Sequence, residues 1–195
     1  VERPKHPDYR NWEPKLARRR RPHRRRVGLY ASVTHLFDAN TFMEAARLYY
    51  SFKLAPGFWE WLISPPMRAH IASIDAVRDE IGNGTGDLVD WAIDTAPADF
   101  WRRPTQATLG AAQELSRWAT DPDRKFKQAA VDQFLASCDY WLIAEAMASR
   151  LSVVTREVPA PGSKKAIKIP DACMAFGVSC EQPFAVYQRL GLRLT

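Results

Sequence analysis

Four short β-type runs, set among helical patterns, constrain this chain more than any other feature. They are "SVTHLF" (residues 32–37), "HIASI" (70–74), "LSVVT" (151–155) and "VSC" (178–180). Such alternation predicts an α/β class domain with a central, mainly parallel sheet covered by helices in three layers, α/β/α. "TFMEAARLYY" follows the first run as a helix with Phe42, Ala45, Ala46 and Tyr49 on one face, and "PGFWEWLI" opens a second helix on a proline. "DAVRDEI" follows the second run and stops at the turn signals Gly82 and Gly84. "DYWLIAEAMASR" leads into the third run with Leu142, Ile143, Ala146 and Met147 inward. Helices starting at Asp171 and spanning "PFAVYQRLG" surround the last run.

Between Asp87 and Ala136 the pattern predicts three further helices, "DLVDWAIDTA", "TQATLGAAQELSRWA" and "FKQAAVDQFLAS", which have the look of a helical insertion. The loop "REVPAPGSKKAIKIP" is too polar to be core. A chain of 195 residues, 46% apolar and 11% aromatic, can bury one sizeable core. The expectation is one domain over residues 29–195. Trp59, Trp61, Trp91 and Trp101 belong to its core or to an interface more readily than to a base-stacking surface.

The net charge of +6 is unevenly spread. Residues 1–28 hold eleven Lys and Arg against three acids, a balance of +8, which leaves 17 basic and 19 acidic residues, or −2, for the rest. That basic stretch ends in "LARRRRPHRRRV" and has few apolar residues, so it predicts a disordered tail able to hold nucleic-acid phosphate non-specifically. An inert tail, or residues upstream of a start at Val27 or Val33, gives the same pattern. No apolar run approaches the ~20 residues of a membrane span, and charge occupies the place of a signal-peptide core. A cytoplasmic chain is expected. Cys138, Cys173 and Cys180 show no CxxC or His-paired spacing, so they read as small buried hydrophobes rather than a disulfide framework or zinc site.

The acids carry the functional signal. Asp38 ends the first strand and Glu157 lies just past the third run, which puts both at the carboxyl edge of the sheet, where α/β crevices bind ligands. Glu80 sits on the helix after the second strand. Asp139 opens a helix, where the macrodipole favours a carboxylate. Each alone is well explained as a cap or a surface charge. Together they repel one another unless a cation neutralises them, and hard oxygen donors select Mg²⁺ or Mn²⁺. Asn40 and Thr155 stand beside them as groups to orient a carboxylate or bound water. Lys164, Lys165 and Lys168 follow in the loop as candidate phosphate contacts. Glu44 and Arg47, one turn apart, suggest a mutual pair.

The segments "FDAN" (Phe37 to Asn40), "IASIDAVRDEI" with Glu80, "CDYWLIAEA" with Asp139 and "VVTRE" with Thr155 and Glu157 resemble, in order, the four acidic motifs of PIN-domain nucleases. The resemblance covers about residues 33–195 and is nearest to a bacterial PIN-like group with a long helical middle and a "VPAPGSKK…KIP" loop, here Val158 to Lys165 and Lys168 to Pro170. It implies an RNA-cleaving endoribonuclease of the VapC-like toxin type using Mg²⁺ or Mn²⁺ held by Asp38, Glu80, Asp139 and Glu157. It also implies a cognate antitoxin, and a homodimer is a further expectation. Glu157 departs from the Asp, Asn or Ser found at that position in many members. The alternatives are a non-catalytic PIN-fold module that binds RNA or protein, and a nucleic-acid-binding protein led by the arginine-rich tail.

Overall fold

The computed structural model describes residues 33–194. The basic stretch 1–28, and Ser32 of the first β run, lie outside the described residues. Five strands form one sheet in the order β3-β2-β1-β4-β5: β1 His35–Phe37, β2 Ile71–Ile74, β3 Trp101–Arg102, β4 Ser152–Val154 and β5 Cys180–Glu181. Every pairing is parallel, with Leu36 beside Ala72 and Val153, and Val154 beside Glu181. The apolar runs fit this arrangement because β1 and β2 are buried along their whole length, as strands covered on both faces must be.

Ten α-helices connect and cover the strands among the described residues. They are α1 Ala39–Glu44, α2 Pro56–Ile63, α3 Pro65–Arg68, α4 Asp75–Gly82, α5 Asp87–Asp90, α6 Gln106–Thr120, α7 Gln128–Leu135, α8 Cys138–Ser149, α9 Ile169–Ala175 and α10 Pro183–Arg189. The chain steps outward from β1 to β2 to β3, then returns to the other side of β1 for β4 and β5. Right-handed crossovers in opposite directions place helices on opposite faces. The adjacent strands β1 and β4 therefore flank the topological switch point, whose carboxyl end is where sheets of this kind bind ligands.

The expected helices form with shifted ends. The first begins at Ala39, not Thr41, because the Asp38 side chain caps it, and it widens into a π-helical turn over Ala45–Tyr49. A second π-helical turn, Trp91–Thr95, continues α5. The middle is helical as expected, yet it also supplies β3, whose Trp101 pairs with Ser73 and whose Arg102 pairs with Ile74. Two residues of strand give no alternation to read. The core is aromatic at its centre: Phe42 contacts Trp91, Phe100 and Trp101 with centroids 5.8, 6.2 and 6.0 Å apart. Trp59, Trp91 and Trp101 are buried there and Trp61 is partly buried, in keeping with a core role. Among the described residues no helix is long and apolar enough to cross a membrane.

Candidate metal centre

The end of β1 is pinned on both sides. Ser73 Oγ on β2 donates to the Phe37 carbonyl at 2.6 Å, and the Asp38 N–H donates to the Val154 carbonyl of β4 at 3.1 Å. Thr41 Oγ1 donates to the same Val154 carbonyl at 3.2 Å, tying the first turn of α1 to β4. Asp38, fully buried, is thus held between two strands at the switch point. Its Oδ1 accepts the Thr41 N–H at 2.6 Å and its Oδ2 accepts the Thr155 hydroxyl at 2.5 Å. The capping role explains the helix start. It leaves the charge itself without a cationic partner among the described residues.

Burial, only partly offset by the two threonine contacts, pushes the Asp38 carboxyl up to about 6, and the Glu157 charge adds to the rise. Asp139 stands in the first turn of α8, a helix buried along most of its length from Cys138 to Ala146. Burial pushes its carboxyl up to about 7, with Asp38, Glu157 and Glu80 each adding repulsion. The buried Cys138 thiol, which donates to Asp139 Oδ1 at 3.8 Å, is pushed up by burial first and then by Glu80, Asp139 and Asp38. Glu80, Asp139 and Asp38 therefore share one electrostatic neighbourhood around the Cys138 thiol. The thiol was missed as part of it because a lone cysteine has no spacing to betray it.

Glu157 reaches the same neighbourhood in a different state. Lys168 Nζ donates to its Oε1 at 2.6 Å, and the Ile169 N–H, the first of α9, donates to its Oε2 at 2.8 Å. Glu157 is neutralised and caps a helix. Lys168 correspondingly pairs with a carboxylate while its side chain stays partly exposed. Lys164 is exposed but its Nζ donates to the Arg124 carbonyl at 2.8 Å and lies 5.4 Å from the Phe126 ring centre; Lys165 is exposed. Thr155 stands where orientation of Asp38 requires it, whereas Asn40 is exposed on the first turn of α1. Glu44 pairs with Arg156, its Oε2 2.8 Å from Nε, and not with Arg47. Arg156 comes into reach because β4 ends beside α1, a proximity that spacing along one helix cannot reveal.

Two carboxylates raised by burial, Asp38 and Asp139, with the Glu80 charge acting on Asp139, suit a divalent cation in charge and in donor type. As the side chains stand, no three His, Cys, Asp or Glu residues among the described ones close into a shell around one ion. The set thus fits such an ion chemically, with Asp38 and Asp139 the residues that would hold it and Glu80 beside them. Another buried acid was overlooked entirely. Glu145 on α8 accepts from Arg102 Nε at 2.8 Å, Thr108 Oγ1 at 2.6 Å and Ser149 Oγ at 2.7 Å. Its signal was a carboxylate amid the apolar letters of "LIAEAMA". A cavity of about 700 Å³ opens elsewhere, lined by α6, the end of α8, Ser152 at the start of β4 and Phe176 to Ser179. It touches none of the clustered acids.

Comparison with known proteins finds one family, described as "Domain of unknown function (DUF4411)", whose profile matches residues 35–194. No curated protein and no solved structure matches the chain. The matched segment runs from β1 past α10 and takes in the whole sheet and all the acids described above, so the chain belongs to the DUF4411 family.

Proposed function

We propose that this chain is a divalent-metal-dependent endoribonuclease, the toxin of a toxin-antitoxin pair acting in the cytoplasm. The observation that carries the reading is the pair of Asp38 and Asp139, both raised first by burial, Asp139 further by the charges of Asp38, Glu157 and Glu80, and with no cationic side chain paired to either among the described residues. The ordered resemblance of the four acidic segments to PIN-domain nucleases points to the same chemistry. Mg²⁺ or Mn²⁺, when bound, would supply an activated water and charge stabilisation at the scissile phosphate.

The protein's own groups prepare that site. Thr155 and the Thr41 N–H fix both oxygens of Asp38, so its orientation costs no rearrangement on binding. The N-terminal end of α8 sets its partial positive charge beneath Asp139. Lys168 is paired with Glu157, while Lys165 stands exposed in the same loop for a phosphate contact. The cognate antitoxin would be a separate protein.

The test is cleavage of a single-stranded RNA by full-length protein stripped with EDTA and resupplied with Mn²⁺. Asp38→Asn and Asp139→Asn should abolish cleavage while far-UV circular dichroism stays unchanged, and growth arrest on induction should vanish with Asp38→Ala. Equal cleavage by both folded asparagine variants refutes the reading. The second reading, a non-catalytic binding module, is favoured by the unclosed carboxylate group. It predicts RNA or protein binding with no metal-dependent cleavage in the wild type.

A further inference from the structure

Beside the acid edge lies a set of flat side chains that this mechanism leaves unused. Tyr49 ends the π-helical turn after α1 and Phe184 is the second residue of α10, and they remain 44% and 45% exposed. Their rings meet edge to face with centroids 5.1 Å apart. The Arg156 guanidinium lies over both, 5.1 Å from the Tyr49 centroid and 5.8 Å from that of Phe184, and it bonds the Tyr49 hydroxyl. All three line a shallow depression that reaches Thr41, whose N–H caps Asp38. Arg156 is also the neighbour of Thr155, which holds the other Asp38 oxygen.

Two features decide what this surface suits. Glu44 balances the guanidinium charge locally, so the group presents π faces and not a net positive field that would seek phosphate. It also adjoins the proposed cleavage edge. We propose that Tyr49, Phe184 and Arg156 form a stacking platform for an unpaired base of a single-stranded nucleic acid whose backbone continues to the acid edge. The inference rests on the nuclease reading for what happens at that edge, though stacking does not depend on it. A duplex hides its base faces, whereas a single strand can lay one on an exposed ring whatever its sequence, so the platform selects unpaired strands.

The test compares full-length proteins in EDTA, by fluorescence anisotropy, for binding a short labelled single-stranded RNA and an abasic strand with the same backbone. Wild type should prefer the base-carrying strand by about 5- to 150-fold, the range of one base–aromatic stack. Tyr49→Ala and Phe184→Leu should each cut that preference and leave abasic affinity unchanged, while Tyr49→Phe, which keeps the ring, retains it. Phe184→Leu keeps apolar bulk, and circular dichroism on each variant controls for folding. Equal affinity of wild type for both strands overturns the proposal, as does undiminished preference in both ring-removing variants. A change in mass by light scattering with RNA affinity intact also overturns it, since the rings would then contact protein. Because no turnover enters the assay, failed cleavage by wild type counts against the nuclease reading and leaves the stacking result standing.

Discussion

Asp38 and Glu145 are two carboxylates equally shut away from water, 0% and 2% exposed, yet their surroundings are opposite. Glu145 meets a guanidinium and two hydroxyls, so its charge is balanced and β3 is tied to α6 and α8. Asp38 meets one N–H and one hydroxyl, has no cationic partner among the described residues, and is raised to about 6 by burial first and the Glu157 charge after it. Burial alone therefore does not mark a functional acid. What sets Asp38 apart is the lack of a counter-charge, and it is this that the proposed metal site would explain.

The sharpest way to break the comparison is to remove each acid and read the sign. Glu145→Ala strands the Arg102 charge and two hydroxyls, and should cost about 3–5 kcal/mol in urea unfolding. Asp139→Asn should do the reverse in EDTA. A carboxyl raised from 3.8 to about 7 on folding contributes stability that is full below about pH 4 and lost as pH rises through 7. The asparagine variant should consequently exceed wild type by up to about 4 kcal/mol at pH 8 and match it near pH 4. Melting temperatures of the two proteins from pH 4 to 8 check this, and curves that stay parallel would remove the claim of an unbalanced acid.

A smaller effect is expected at Thr155, which holds one oxygen of Asp38. Thr155→Val deletes the hydroxyl that donates to Asp38 and accepts the Glu157 N–H, and should cost about 1–3 kcal/mol. It should also weaken cation affinity about 10- to 100-fold, the usual effect of losing a group that orients a ligand. Loss of stability with cation affinity unchanged would make Thr155 a purely structural residue.

How much of this could be read from letters follows from the range of each interaction. β1, β2 and β4 were legible because covered parallel strands are mostly apolar, as in Leu36 and Phe37, Ile71 and Ala72, and Val153 and Val154, and Asp38 was placed at a strand end by its own neighbours. The two-residue β3 was not, since it exists only through pairing with β2. Likewise, nothing near Glu157 announces that Lys168 and the start of α9 fold back onto it. Glu145 and Arg102 are 43 positions apart and Glu44 and Arg156 farther still, so both pairs are products of packing. The places of Asp38 at a strand end and Asp139 in the first turn of a helix were inferable because both follow from local pattern, whereas Glu80, late in α4, carries no such marker.

The most direct measurement is isothermal titration of Mn²⁺ into EDTA-stripped, full-length protein, with Asp38→Asn, Asp139→Asn and Glu145→Gln alongside. The account predicts binding in wild type that is lost in both aspartate variants and kept in Glu145→Gln under conditions where that variant is folded. Unchanged Mn²⁺ binding in both aspartate variants, or none in wild type, would contradict it.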